Sequence, residues 1–195
     1  LFWVDPGAKK LYKDHVSFIV NRKNSINGRV YKSDPTILAW NLVNEPRCEP
    51  AGNGKNGSSA KLARWLHDTA ALVKSLDPNH RVTAGLEGFF GPSSPDLAAR
   101  ANPYAQPDGH GADFLAAFGS PLLDFCCVHL YPNQWLTASS SFSDADRVAW
   151  AARWVEAHAE ACASRLGANQ RASDGSVYSS CQSARRSRMR SRLAS

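Results

Sequence analysis

No run of apolar residues in this 195-residue chain is long enough to cross a bilayer, which excludes a membrane-spanning helix within it. The charged and apolar blocks of a secretory leader are also missing, and the first residue is Leu. The expectation is that a targeting segment has been lost, because the opening residues read as mid-fold. The five cysteines, Cys48, Cys126, Cys127, Cys162 and Cys181, form no C-x-x-C pair and no zinc-ligand spacing. No metal or other cofactor is expected, and Cys126 and Cys127, inside an apolar run, read as small core residues. An excess of one charge sign is confined to the end of the chain: residues 168–195 hold six Arg and one Asp, which accounts for +5 of the net +6. The body is near neutral, so any argument for nucleic acid rests on the tail alone. With 43% hydrophobic and 21% charged residues, the chain has the composition of a folded protein and not of a disordered one.

The most informative stretch is 36–48, T-I-L-A-W-N-L-V-N-E-P-R-C. Residues 36–43 are apolar or β-branched apart from Asn41, which predicts a parallel strand buried on both faces. Asn44, Glu45, Pro46 and Arg47 follow with no spacer. An amide, a carboxylate and a guanidinium therefore emerge together at the strand's C-terminal end, where parallel α/β folds carry their chemistry.

Around it the chain alternates. Asp5-Pro6 starts a helix whose apolar residues run from Ala8 to Val20, with an end expected near Asn24. A polar loop over 51–59, which includes the glycosylation-type triplet Asn56-Gly57-Ser58, leads to a second helix with Leu62, Leu66, Thr69, Ala70, Val73 and Leu76 on one face. Residues 81–87 read as a strand ending in Glu87-Gly88, and 91–109 as a long loop with at most one helical turn. A weak helix is expected over 111–118 and a third strand over 124–131, D-F-C-C-V-H-L-Y. The last helix starts at Ser143 and Asp146, with Ala145, Val148, Ala149, Ala152, Val155, Ala159, Cys162, Ala163 and Leu166 as its inner face and Gly167 as its stop. Alternating helices and strands with polar or aromatic strand ends predict β/α units of a barrel with a site on its top face.

These residues resemble a known family. Asp34-Pro35-Thr36-Ile37 through Trp40, with Asn44-Glu45-Pro46-Arg47, is similar to the fourth-strand signature of glycoside hydrolase family 5, most closely its plant and fungal endo-β-1,4-mannanases. Tyr12 to Val16 with Arg22 and Asn24, Gly85-Leu86-Glu87-Gly88-Phe89, and Val128-His129-Leu130-Tyr131-Pro132 with Gln134-Trp135-Leu136 resemble the preceding helix and the fifth and sixth strands. The resemblance implies a partial (β/α)8 TIM barrel over 1–167, from about helix 3 to helix 6, lacking strands 1–3 and 7–8. It implies a secreted, retaining glycosidase acting on mannan-type polysaccharides, in which two carboxylic acids flank the scissile bond. Glu45 matches the acid/base and Asn44 the amide that binds the sugar 2-hydroxyl. His129 and Tyr131 match residues that line the subsite and orient the catalytic groups, and Trp135 is expected to offer a flat face to a sugar ring. Glu87 is expected either to line the cleft or to pair with a neighbour. Asn41 stands where many relatives carry an acid.

Structural alternatives exist for each residue: Glu45 as an ion-paired carboxylate beside Arg47, His129 as a hydrogen-bonded core group, and Trp135 as a packing residue. The family's nucleophile, a Glu ending the seventh strand, has no counterpart here, so the chain is expected to be inactive as written. The Ser- and Arg-rich tail over 168–195 reads either as a segment that binds nucleic acid or, preferably, as the product of a shifted frame or retained intron. Rival functions are an endo-β-1,4-glucanase of the same family and a non-catalytic remnant that binds carbohydrate or nucleic acid.

Overall fold

The computed structural model describes residues 2–49, 58–104, 109–136 and 142–174, the stretch 166–174 as backbone only. Asn56, Gly57, Cys181 and the Arg-rich end lie outside the described residues. The first helix, α1 (Pro6–Asn21), begins as its sequence dictates: the Asp5 carboxylate accepts from the Ala8 amide at 2.7 Å and Pro6 occupies the first turn. It ends three residues before Asn24 because Arg22 turns extended.

Strand β1 (Ala39–Asn44) and strand β2 (Arg81–Gly85) form a parallel pair, joined by the crossover helix α2 (Ser59–Leu76). The apolar stripe of α2 buries Leu62, Leu66, Thr69, Ala70 and Val73 as expected, and Trp65 besides. Burial on both faces belongs to β2, whose Val82, Thr83 and Ala84 are all enclosed. In β1 Leu42 is buried, while Asn41 and Asn44 are exposed. The reason is position: among the described residues β1 pairs with no strand other than β2, so one of its edges is unpaired in the sheet.

The segment 124–131 is not a strand. It runs beside β2 in the parallel sense but makes only a single bridge, Leu86 to Val128. Side chains take the ladder's places: the Val82 amide donates to the Asp124 carboxylate at 2.6 Å, and the Thr83 hydroxyl donates to the Phe125 carbonyl at 2.7 Å. A polar side chain that satisfies a backbone group removes the driving force for a regular pairing there.

Between β2 and this segment, the region expected to be loop contains α3 (Pro95–Ala101), which is longer than one turn. Pro95 opens it, Asp96 lies in its first turn and Arg100 in its last, the charge order that the helix dipole favours. Helix α4 (Phe114–Ala117) is short, and the Asp113 carboxylate caps it. Helix α5 (Pro132–Trp135) follows the 124–131 segment.

The last helix, α6 (Asp144–Asp174), passes through Gly167 without stopping. Its inner face also differs from the expected one. Trp150, Trp154, His158 and Ala161 are buried, whereas Val148 is 70% and Val155 50% exposed. Two stripes with helical spacing exist on this helix, and the larger aromatic surface of the tryptophans takes the inside. Cys126 is likewise no free core thiol: it forms a disulfide with Cys162 of α6. Cys48 and Cys127 are free thiols.

Candidate active site

Glu45 comes immediately after β1, and its amide still donates to the Gly85 carbonyl of the neighbouring strand at 2.7 Å. Its backbone then enters the left-handed region, with φ at 47°. For a residue with a side chain this conformation costs roughly 1–3 kcal/mol, a cost that surrounding contacts must hold in place. Pro46 and Cys48 beyond it are buried, and the Cys48 amide is fixed by the Gly111 carbonyl at 3.1 Å. The carboxylate is therefore presented from a clamped turn.

Two donors meet one oxygen of that carboxylate. His129 Nδ1 and the Tyr131 hydroxyl each lie 2.5 Å from Glu45 Oε1. They come from the 124–131 segment, with Tyr131 its last residue before α5. The Tyr131 hydroxyl, followed by His129, holds the Glu45 carboxyl below the usual glutamate range, and the charge of Arg47 adds to this. The same contact pushes the Tyr131 phenol up. Glu45 is thus not the ion-pair partner of Arg47.

Arg47 pairs instead with Glu87. Its Nε and Nη2 donate to the two carboxylate oxygens of Glu87 at 2.7 Å each, and Nη1 donates to Glu49 at 3.3 Å. Glu87 is 8% exposed and Arg47 38%, so the bidentate geometry compensates a nearly buried carboxylate. The Glu87 pairing pushes the Arg47 guanidinium further up. The network extends through Glu49 to His110 Nδ1 at 3.1 Å and from His110 Nε2 to the Tyr104 hydroxyl at 2.8 Å. The sequence gives no signal for His110 and Tyr104, which sit in irregular segments with no periodicity to flag them.

The other expected residues divide. Asn44 is exposed at the end of β1, beside Glu45. Trp135 is 8% exposed and packed among Phe89, Trp150 and Trp154, with Tyr131 against it at 5.4 Å between ring centroids. It supports Tyr131 and presents no open face. Among the described residues no cluster of three His, Cys, Asp or Glu side chains could hold a metal ion. Nor is any helix among them long and apolar enough to cross a membrane. The arrangement provides one oriented, ionised carboxylate at the C-terminal end of a parallel strand, a group able to exchange a proton with an adjacent oxygen.

Known proteins share this frame. A model of the glycoside hydrolase family 5 β-mannosidase-like family matches residues 1–164. Mannan endo-1,4-beta-mannosidase 1 from Oryza sativa subsp. japonica is 43% identical over 159 residues, which cover 80% of this chain and 34% of that protein. Mannan endo-1,4-beta-mannosidase 1 from Arabidopsis thaliana is 40% identical, over 83% of this chain and 37% of that one. The chain spans about a third of the length of these curated relatives. Among solved structures, an endo-1,4-beta-mannanase from Rhizomucor miehei aligns with a TM-score of 0.68 at 33% identity, covering 84% of this chain and 43% of that one. One from Thermotoga petrophila aligns with a TM-score of 0.67 at 32% identity, covering 85% and 34%. With the family model spanning most of its length, and its parallel strands, crossover helix and Glu45 turn in place, this chain belongs to the β-mannosidase-like proteins of glycoside hydrolase family 5.

Proposed function

We propose that the chain is the portion of a retaining endo-β-1,4-mannan hydrolase that carries the general acid/base, and that Glu45 is that residue. The observation that carries this reading is the convergence of His129 and Tyr131 on Glu45 Oε1 at the strand end. Proton exchange with the glycosidic oxygen falls to Oε2, which neither donor engages. In this reading the Asn44 amide, exposed beside it, binds the sugar 2-hydroxyl. In the proposed correspondence the chain covers the arc from about helix 3 to helix 6 of a (β/α)8 barrel, without strands 1–3 and 7–8. The substrate is a mannan, galactomannan or glucomannan. An extracellular setting is proposed as well, supported by the Cys126–Cys162 disulfide, since such bonds persist in oxidising compartments.

Retaining hydrolysis needs a second carboxylate about 5 Å from the first. Glu87 is bound to Arg47, and Glu49 to Arg47 and His110, so each is already engaged. A facing carboxylate would also raise the Glu45 pKa by like-charge repulsion, which the acid role requires at working pH. Its donors alone keep Glu45 ionised. The chain by itself is therefore proposed to be inactive, with the nucleophile supplied by sequence outside it.

The test uses two preparations. The purified chain should release no reducing ends from mannan; turnover abolished by Glu45→Gln would mean that Glu87 or Glu49 serves as nucleophile. A chimera carrying residues 1–166 in the corresponding place of the Oryza relative should hydrolyse mannan. Its Glu45→Gln variant should lose that activity yet still release the aryl group of an aryl mannoside with an activated leaving group in a first-turnover burst, a step that needs no proton. Water attack on the glycosyl-enzyme, which needs Glu45 as base, should slow. Loss of both activities would assign Glu45 the nucleophile's role, and loss of neither would remove it from catalysis.

A further inference from the structure

Resting on that reading of Glu45, we propose that Trp154 and His158, one turn apart on α6, are positioning residues that hold His129 against the carboxylate. Neither side chain bonds to Glu45. They act on the backbone that carries its partner.

His129 lies on a segment with a single bridge, Leu86 to Val128, just past the end of β2, so contacts outside a regular ladder hold it in place. Its amide donates to the Leu86 carbonyl at 3.0 Å on one side. On the other, its carbonyl accepts from Trp154 Nε1 at 3.3 Å. Trp154 is fully buried, with Trp150 stacked on it at 5.2 Å and Trp135 at 5.5 Å, so its indole has no room to follow a drifting backbone. The tryptophan is a fixed stop.

His158 sets the opposite wall. It is 3% exposed, and its ring nitrogens lie 2.6 Å from two carbonyl oxygens, Nδ1 from that of Trp154 and Nε2 from that of Gly88. Gly88 has φ at 107°, and a Cβ there would fall 2.9 Å from His158 Nε2, 3.0 Å from Trp154 Cζ2 and 3.1 Å from Val128 Cγ1. The two α6 side chains and the residue before His129 thus close on one point, which only glycine fits. A shift of α6 at this point moves both Gly88 and the His129 carbonyl, and with them the imidazole 2.5 Å from Glu45.

The experiment follows the Glu45 carboxyl by carbon-13 NMR titration in the full chain, alongside thermal melting. Trp154→Phe keeps a ring and removes the indole donor. Val73→Ala perturbs the main core from α2, in a cluster separate from the Trp154 stack. The expected result is that Trp154→Phe moves the Glu45 midpoint upward, toward the ordinary glutamate range, and shifts the His129 Nδ1 proton resonance upfield. Val73→Ala should lower the melting temperature while leaving both signals in place. His158→Gln retains a donor to the Gly88 carbonyl and should preserve the Glu45 midpoint, whereas His158→Phe should raise it; this second pair carries the test if Trp154→Phe does not fold. An unmoved midpoint in Trp154→Phe, or in His158→Phe where that pair is used, overturns the positioning role, and so does an equal movement in Val73→Ala. A parent chain whose Glu45 titrates in the ordinary range would overturn the underlying site reading instead, and the positioning role with it.

Discussion

Reducing the Cys126–Cys162 disulfide should destabilise the whole chain and loosen the site in particular. The bridge closes a loop with a sequence separation of 36. Loop-closure entropy for that length corresponds to about 4 kcal/mol at 25 °C. Domains of this size are stable by about 5–15 kcal/mol in total, so the bridge supplies a large share. The melting temperature should fall by on the order of 10 °C on reduction. The location makes the effect functional as well. Cys126 lies three residues before His129, and Cys162 one turn beyond His158, so the bond joins the element carrying Glu45's donors to the helix that backs them. The assay compares thermal and urea unfolding of the oxidised chain, the reduced chain and a Cys126→Ser/Cys162→Ser variant. The variant should match the reduced chain and be indifferent to reductant. Equal midpoints for oxidised and reduced chains would refute the reasoning, as would peptide mapping that finds Cys126 alkylated without prior reduction.

Tyr131→Phe removes the strongest donor to Glu45 and should raise its pKa. Because the folded pKa of Glu45 lies below its unfolded value, its stabilisation is fully present above the unfolded glutamate pKa of about 4.3 and is lost as pH falls through the folded pKa. The variant should therefore be less stable than the parent at neutral pH, with the gap closing in acid. Paired urea titrations check this, and an undiminished gap in strong acid would point to a packing effect alone. On α1, Leu11 is 73% and Phe18 61% exposed, seven residues apart on one helix face. Leu11→Lys with Phe18→Lys should suppress self-association measured by light scattering while changing stability by no more than about 0.5 kcal/mol. Scattering equal to the parent's would show that this face drives no self-association.

Much of this protein was readable without coordinates. The Asp5-Pro6 start of α1, the inner stripe of α2 and the strand that ends at Glu45 all follow from rules that act within a few residues: cap chemistry, periodicity and β-branching. The family resemblance was equally local, since it rests on short strings such as Asn44-Glu45-Pro46-Arg47, and it extended to His129 and Tyr131. Tertiary structure decided what those rules do not reach. Two stripes on α6 have the same spacing, and only the space beside Phe89 and Phe90 selects the tryptophans and leaves Val148 and Val155 outside. The segment 124–131 has strand composition, yet Asp124 and Thr83 side chains take the backbone partners that a ladder would need. Cys126 reads as core because its partner lies 36 residues away, and nothing local to Glu87 reveals its partner Arg47, 40 residues upstream. The same holds for Glu45. Sequence placed the carboxylate at a strand end, but the state of its proton depends on hydroxyl and imidazole groups 86 and 84 residues downstream. Local sequence selects elements because backbone sterics and side-chain period are short-range, whereas a pKa or a partner is set by whichever groups chain closure brings within hydrogen-bond reach.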